Sequence, residues 1–115
     1  MNRRLQSFRY AFRGWVVLFR SQPNAWIHLA AAAGVIAAGW ITGLSVTEWL
    51  LLIFAIGLVF TAELANSAIE ELVNLVSPGY HEKAKRCKDL AAAAVLAAAI
   101  TAAVIGVIIF LPKFF

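Results

Sequence analysis

Three long apolar runs dominate the chain, interrupted mainly at their ends and at a few regularly spaced positions. The first extends from about Ala25 to Leu44 and holds one ionisable residue, His28. The second starts near Val46 with a largely apolar run, Trp49 to Ala62, and then turns polar on one stripe as far as Val76. The third extends from about Leu90 to Leu111 and carries no charge. A membrane-spanning helix needs about 20 apolar residues. The pattern therefore predicts three transmembrane helices, over about 25–44, 46–76 and 90–111. Ahead of them, Leu5, Phe8, Phe12, Trp15 and Phe19 recur at spacings of 3 and 4, with Arg9, Arg13 and Arg20 on a neighbouring stripe. This spacing predicts an amphipathic helix over about 3–20, lying on the inner membrane surface with its arginines toward anionic headgroups. Ser21-Gln22-Pro23-Asn24 breaks that helix and starts the first span, with proline at an early helical position.

Composition narrows the class. Of the 115 residues, 63% are apolar and 14% are charged, against roughly 45–50% and 25% in soluble domains. A chain of this length cannot bury that much apolar surface inside itself. This composition argues against a soluble enzyme, a disordered tail and a nucleic-acid-binding module, and no nucleic-acid partner is expected. The lone cysteine, Cys87, excludes an internal disulfide and a multi-cysteine metal site. The expected architecture is an all-α membrane protein forming a single unit over 1–115.

Charge gives direction. Arg3, Arg4, Arg9, Arg13 and Arg20 precede the first span, and Lys83, Lys85, Arg86 and Lys88 lie between the second and third. The turn over 42–47 has no Lys or Arg. By the positive-inside rule, the N-terminus and the 77–89 loop are cytoplasmic and the 42–48 turn is outside. Only Lys113 opposes this assignment. Trp40 and Trp49 flank the outer turn, at the level where aromatic belts sit. Spans one and three are rich in Ala and Gly, which permit close helix approach in lipid. Three thin helices close poorly around polar groups, so self-association is expected.

The costly residues lie inside the second span. Glu63, Asn66, Glu70 and Asn74 are spaced 3, 4 and 4. They fall within an arc of about 80° over roughly 16 Å of helix, and Glu71 lies off that arc. Glu63 follows fourteen largely apolar residues, which puts it at or just below the inner lipid boundary. An ionisable group there costs several kcal/mol unless paired, hydrated or facing a protein cavity. A polar seam that merely glues helices rarely needs two carboxylates with an amide between them. Of two such carboxylates, one can serve as general base and another as a Mg²⁺ ligand. Beyond the Ser77-Pro78-Gly79 turn, His81, Lys85 and Lys88 share a helical face suited to phosphate, beside Asp89 at the lip of the third span. Either positive-inside anchoring or phosphate binding accounts for these cations taken alone. Together the groups suggest phosphoryl transfer on a lipid as one of several readings, and no GxxxxGK[ST] or kinase glycine loop is present.

These same residues carry a family resemblance. Glu63-Leu64-Ala65-Asn66-Ser67-Ala68-Ile69-Glu70 resembles the signature E-x-x-N-[ST]-[SA]-[LIV]-E of the small bacterial integral-membrane lipid kinases, the diacylglycerol kinase and undecaprenol kinase family. Tyr80-His81 followed by Ala84-Lys85-Arg86-Cys87-Lys88-Asp89 resembles its YHxxAxxAKD segment, and Phe8 to Gly14 its surface-helix motif. The resemblance implies a homotrimer in the bacterial cytoplasmic membrane, with ATP and Mg²⁺ used to phosphorylate a lipid alcohol at sites shared between neighbouring subunits. It matches Glu63 to the catalytic base and Glu70 to the main metal ligand. Asn66, Lys88 and Asp89 match nucleotide and active-site polar groups, joined by Arg3 and Tyr10 of the surface helix. His81 and Lys85 are further candidates for the nucleotide phosphates. Glu63, Asn66 and Trp15 are the candidate contacts to lipid. Gln22 stands where the family usually has a glutamate tied to metal and nucleotide, and Asn74 where an aspartate is usual; both keep hydrogen bonding and lose charge. Trp26 stands where many relatives have arginine. Ser77 to His81, with Asn24, Ile27 and His28, looks more like the undecaprenol branch, so undecaprenol is favoured over diacylglycerol. Two other readings are a catalytically impaired structural trimer, prompted by Gln22 and Asn74, and a small proton-coupled exporter. The latter fits poorly with three spans and carboxylates at the inner boundary.

Overall fold

The computed structural model describes residues 2–115; Met1, the first residue of the expected 1–115 unit, lies outside the described residues. Four helices follow one another: α1 (Arg3–Ser21), α2 (Pro23–Thr42), α3 (Val46–Val76) and α4 (Glu82–Phe114). The last three are long and apolar enough to cross a membrane. The side chain of Asn2 caps α1 by accepting from the Arg4 amide at 2.9 Å. Gln22 leaves the helical conformation, and Pro23 opens α2 at a position where its missing N–H costs nothing.

The outer turn is three residues long. Gly43 ends α2 at φ 74°, a conformation that glycine adopts without a side-chain penalty. Ser45 then starts α3 through reciprocal bonds with Glu48: Ser45 N donates to Oε1 at 3.0 Å, and Glu48 N donates to Oγ at 3.1 Å. Gly39 lets the hairpin close, since a Cβ there would lie 2.8 Å from both Leu44 Cδ1 and Trp49 Cη2. The Trp40 and Trp49 rings meet across the turn at 5.6 Å. Lys113, the one cation opposing the charge asymmetry, pairs with Glu48 at 3.3 Å. Its charge is thus matched at the same end of the molecule, and it fastens the end of α4 to the start of α3.

At the opposite end, α4 begins at Glu82, eight residues before the uncharged stretch. The His81 ring accepts from the Lys83 amide at 3.1 Å and caps it. Pairs four residues apart, Lys85–Asp89 at 2.7 Å and Glu82–Arg86 at 3.8 Å, run along this charged first part of α4.

The α3–α4 hairpin is the most extensive packing surface, with α1 and α2 both laid on α3. Buried Leu18, Ala25, Ala32 and Phe60 form the junction of the first three helices. There the last part of the α1 stripe joins an aromatic cluster: Phe19 meets Trp26 in a tilted pair at 5.0 Å, and Trp15 lies 5.6 Å from Phe60, while Leu5, Phe8 and Phe12 stay exposed. Trp26 also donates its indole N–H to the Phe19 carbonyl at 2.8 Å, locking the α1–α2 corner. The protomer is flat, 20 Å thick against 50 and 42 Å in the other directions. Leu50, Phe54, Leu96, Ile100 and Val104 remain exposed along its spans, as lipid-facing or protein-facing positions do in a membrane protein.

Candidate active site

The α3 stripe grades from enclosed to open along the helix. Glu63 is 2% exposed and Asn66 7%; Glu70 is half-buried and Asn74 is exposed. Enclosure thus falls along α3 from Glu63 toward the C-terminal end of the helix. Phe60, one turn before Glu63, carries the aromatic cluster, so α1 and α2 are clamped against α3 beside the enclosed carboxylate. Trp15 is thereby placed near the Glu63 turn, in contact with Phe60 rather than free on a surface.

Two polar groupings occupy the stripe. In the first, Glu70 is held between two amides: Gln22 Nε2 donates to Oε2 at 2.9 Å and Asn66 Nδ2 donates to Oε1 at 3.2 Å. Hydrogen bonds to a charged acceptor are each worth about 1.5–3 kcal/mol, so the α1–α2 corner is tied to α3 at this point. In the second, His28 Nε2 lies 3.0 Å from Glu63 Oε1. Oε1 is enclosed and accepts no hydrogen bond of good geometry, so the contact with His28 is one of proximity. Asn66 Oδ1 and Ser67 Oγ are likewise enclosed and unpartnered.

His28 was legible only as a lone ionisable residue in the first span, without a role. Its cost in lipid was the available signal, and its partner Glu63 lies on another helix. The remaining candidates stand apart within one chain. Arg3 and Tyr10 are exposed on α1, where the Arg13 guanidinium lies 5.9 Å from the Tyr10 ring. Lys85 and Asp89 pair with each other, Lys88 is half-buried, and His81 serves as the α4 cap. Among the described residues, no hydrogen bond or ion pair joins any of these six to Glu63, Asn66 or Glu70.

No group of three or more His, Cys, Asp or Glu side chains is placed to enclose a metal among the described residues. The oxygens at hand are the Glu70 carboxylate and the amide oxygens of Gln22 and Asn66. Such hard donors fit Mg²⁺, which takes one or two carboxylates and leaves its other positions to water and phosphate. The orphaned Asn66 Oδ1 is an acceptor still lacking its partner.

Three helices able to span a membrane, an amphipathic first helix and an enclosed carboxylate two turns from a second one fit a membrane-embedded lipid kinase. Comparison with known proteins gives the same class. The model of the prokaryotic diacylglycerol kinase family matches residues 9–110. The undecaprenol kinase of Bacillus subtilis (strain 168) is 42% identical over 113 residues, covering 98% of this chain and 92% of that protein. The diacylglycerol kinase of Synechocystis sp. is 42% identical over 109 residues, covering 94% of this chain and 62% of its own. The diacylglycerol kinase of Escherichia coli (strain K12) is 39% identical over 88 residues, 70% of this chain and 71% of that protein. The chain belongs to the prokaryotic diacylglycerol kinase family, and the exporter reading falls with that assignment.

Proposed function

We propose that the protein transfers the γ-phosphoryl group of ATP to the hydroxyl of undecaprenol, with Mg²⁺, at the cytoplasmic face of a bacterial inner membrane. The observation that carries this reading is the enclosed Glu63, seven residues from the amide-held Glu70 on the same helix face. Seven residues place the two carboxylates roughly 10 Å apart along the axis. Glu63 takes the proton from the lipid hydroxyl. The lipid oxygen then bonds to the γ-phosphorus as the bond from that phosphorus to the β–γ bridging oxygen breaks, and ADP leaves. Glu70, with the amide oxygens of Gln22 and Asn66, would hold the metal. When bound, Mg²⁺ offsets the charge on the β- and γ-phosphates.

Arg3, Tyr10, His81, Lys85, Lys88 and Asp89 complete the nucleotide site in this reading. Their separation from Glu70 within one protomer supports a homotrimer in which neighbouring subunits supply them to a shared site. Undecaprenol is favoured because the Bacillus undecaprenol kinase matches this chain over nearly the full length of both. The Synechocystis diacylglycerol kinase is as similar over its matched part, which keeps diacylglycerol as the second reading. Purified protein in mixed micelles with Mg-ATP and each lipid alcohol in turn should phosphorylate undecaprenol with the higher kcat/KM. A higher value for diacylglycerol would reverse the choice, and phosphorylation of neither would favour the impaired trimer. The bonds from Gln22 and Asn66 to Glu70 favour catalysis, since the loss of charge at position 22 leaves the stripe assembled.

The N-terminus is placed in the cytoplasm. In a Cys87→Ser background, a Thr47→Cys variant in intact cells should react with a membrane-impermeant maleimide. Cys87 itself, exposed on the charged part of α4, should react only after permeabilisation. The reverse pattern would invert the topology.

A further inference from the structure

We propose that His28 is a positioning residue for phosphoryl transfer, holding the Glu63 carboxylate by its Oε1 edge so that it meets the lipid hydroxyl. This inference rests on the assignment of Glu63 as the base. Three observations carry it. Glu63 is enclosed, and His28 Nε2 at 3.0 Å is the only basic group within ion-pair distance of it among the described residues. The side chain of His28 is 23% exposed, so the imidazole is neither sealed in the core nor free in solvent. It is also the single polar residue lining an apolar cavity of about 440 Å³ between α2, α3 and α4, beside Ala32, Val59, Phe60 and Gly106. The ring therefore touches both the base and this apolar cavity. Helix geometry separates this end from the Glu70 grouping by about two turns, so the pair acts on the lipid half of the reaction and leaves the nucleotide half untouched.

In the proposed step, the proton passes from the lipid hydroxyl to Glu63, and the proton balance involves no transfer to His28. What the imidazole supplies is direction. Placed 3.0 Å from Oε1, the ring limits the rotation of a buried carboxylate whose Oε1 has no hydrogen-bond partner. A base displaced by about 1 Å can lose on the order of 10²-fold in rate.

The test uses the full-length protein with Mg-ATP and its lipid. His28→Ala should lower kcat by about tenfold or more while KM for ATP stays within about twofold. His28→Gln places an amide N–H near the position of Nε2 and should return kcat to within about fivefold of the unmodified enzyme. The Glu63→Gln/His28→Ala double variant should match Glu63→Gln within about twofold, since a residue acting through Glu63 has nothing left to position. Full kcat in His28→Ala overturns the proposal, as does a multiplicative loss in the double variant or an equal loss in His28→Gln and His28→Ala. A Glu63→Gln enzyme with undiminished kcat overturns the assignment of the base itself, and this proposal with it. If His28→Ala does not fold, the decision passes to His28→Gln and its double with Glu63→Gln.

Discussion

Glu63→Gln is expected to lower kcat by about 10² or more, the range in which positioned general bases contribute. The substitution preserves volume and one carbonyl oxygen, so His28 keeps a neighbour at 3.0 Å in place of Oε1, and the aromatic clamp around Phe60 is undisturbed. Removing the charge also removes the requirement for a charge partner in an enclosed site, so folding should survive or improve. ATP binding should persist, because the Gln22–Glu70–Asn66 grouping does not include Glu63. Steady-state kinetics with saturating lipid, together with nucleotide binding on the same preparation, separate these effects. A loss of 10² corresponds to about 2.7 kcal/mol of transition-state stabilisation. Activity within a few-fold of the parent would reduce Glu63 to a helix-packing group.

The second large effect concerns the metal end, where two changes act in opposite directions. Glu70→Gln should raise the half-saturating Mg²⁺ concentration by about tenfold or more and lower kcat, since it deletes the one carboxylate of the proposed donor set. Gln22→Glu should lower that concentration, and the structure adds a further expectation. Gln22 Nε2 sits 2.9 Å from Glu70 Oε2, so the variant sets two carboxylates against each other where a hydrogen bond stood. Like charges at such a distance disfavour joint ionisation. Without divalent cation, Gln22→Glu should therefore melt at a lower temperature than the parent, and Mg²⁺ should restore the midpoint. Thermal unfolding with and without Mg²⁺ reads this directly. An unchanged Mg²⁺ dependence in Glu70→Gln would move the metal elsewhere, with Asp89 as the next candidate.

The spans and the stripe were legible because both are local. Hydropathy over some twenty positions marks a span, and spacings of 3 and 4 mark a helix face. The pairings that assemble the site were not local. Gln22 and Glu70 are 48 positions apart, and His28 meets Glu63 from a different helix; no periodicity relates such residues. The span read over about 90–111 is only part of α4. Hydropathy reports where lipid begins, whereas the backbone of Glu82 to Asp89 becomes helical earlier, supported by the His81 cap and pairs four residues apart. Lys113 looked like a violation of the charge rule because its counter-ion, Glu48, belongs to the far end of another helix. Trp15 followed the α1 stripe as expected, but only the packing showed that Trp15 and Phe19 meet α2 and α3.

The unbroken course of α3 carries a mechanical consequence. Its 31 residues extend about 46 Å, well beyond a hydrocarbon core of about 30 Å. One rigid rod therefore reaches from the oily phase, where a lipid alcohol dissolves, into the watery phase, where a nucleotide dissolves. The rod acts as a gauge: the distance between the two carboxylates is set by helical pitch and not by the bilayer around it. Thinner or thicker membranes would tilt or slide the whole rod, shifting how readily a lipid head reaches Glu63. The offset between the two reacting ends would stay constant. Bilayer thickness should thus tune lipid KM in reconstituted vesicles while leaving KM for ATP unchanged.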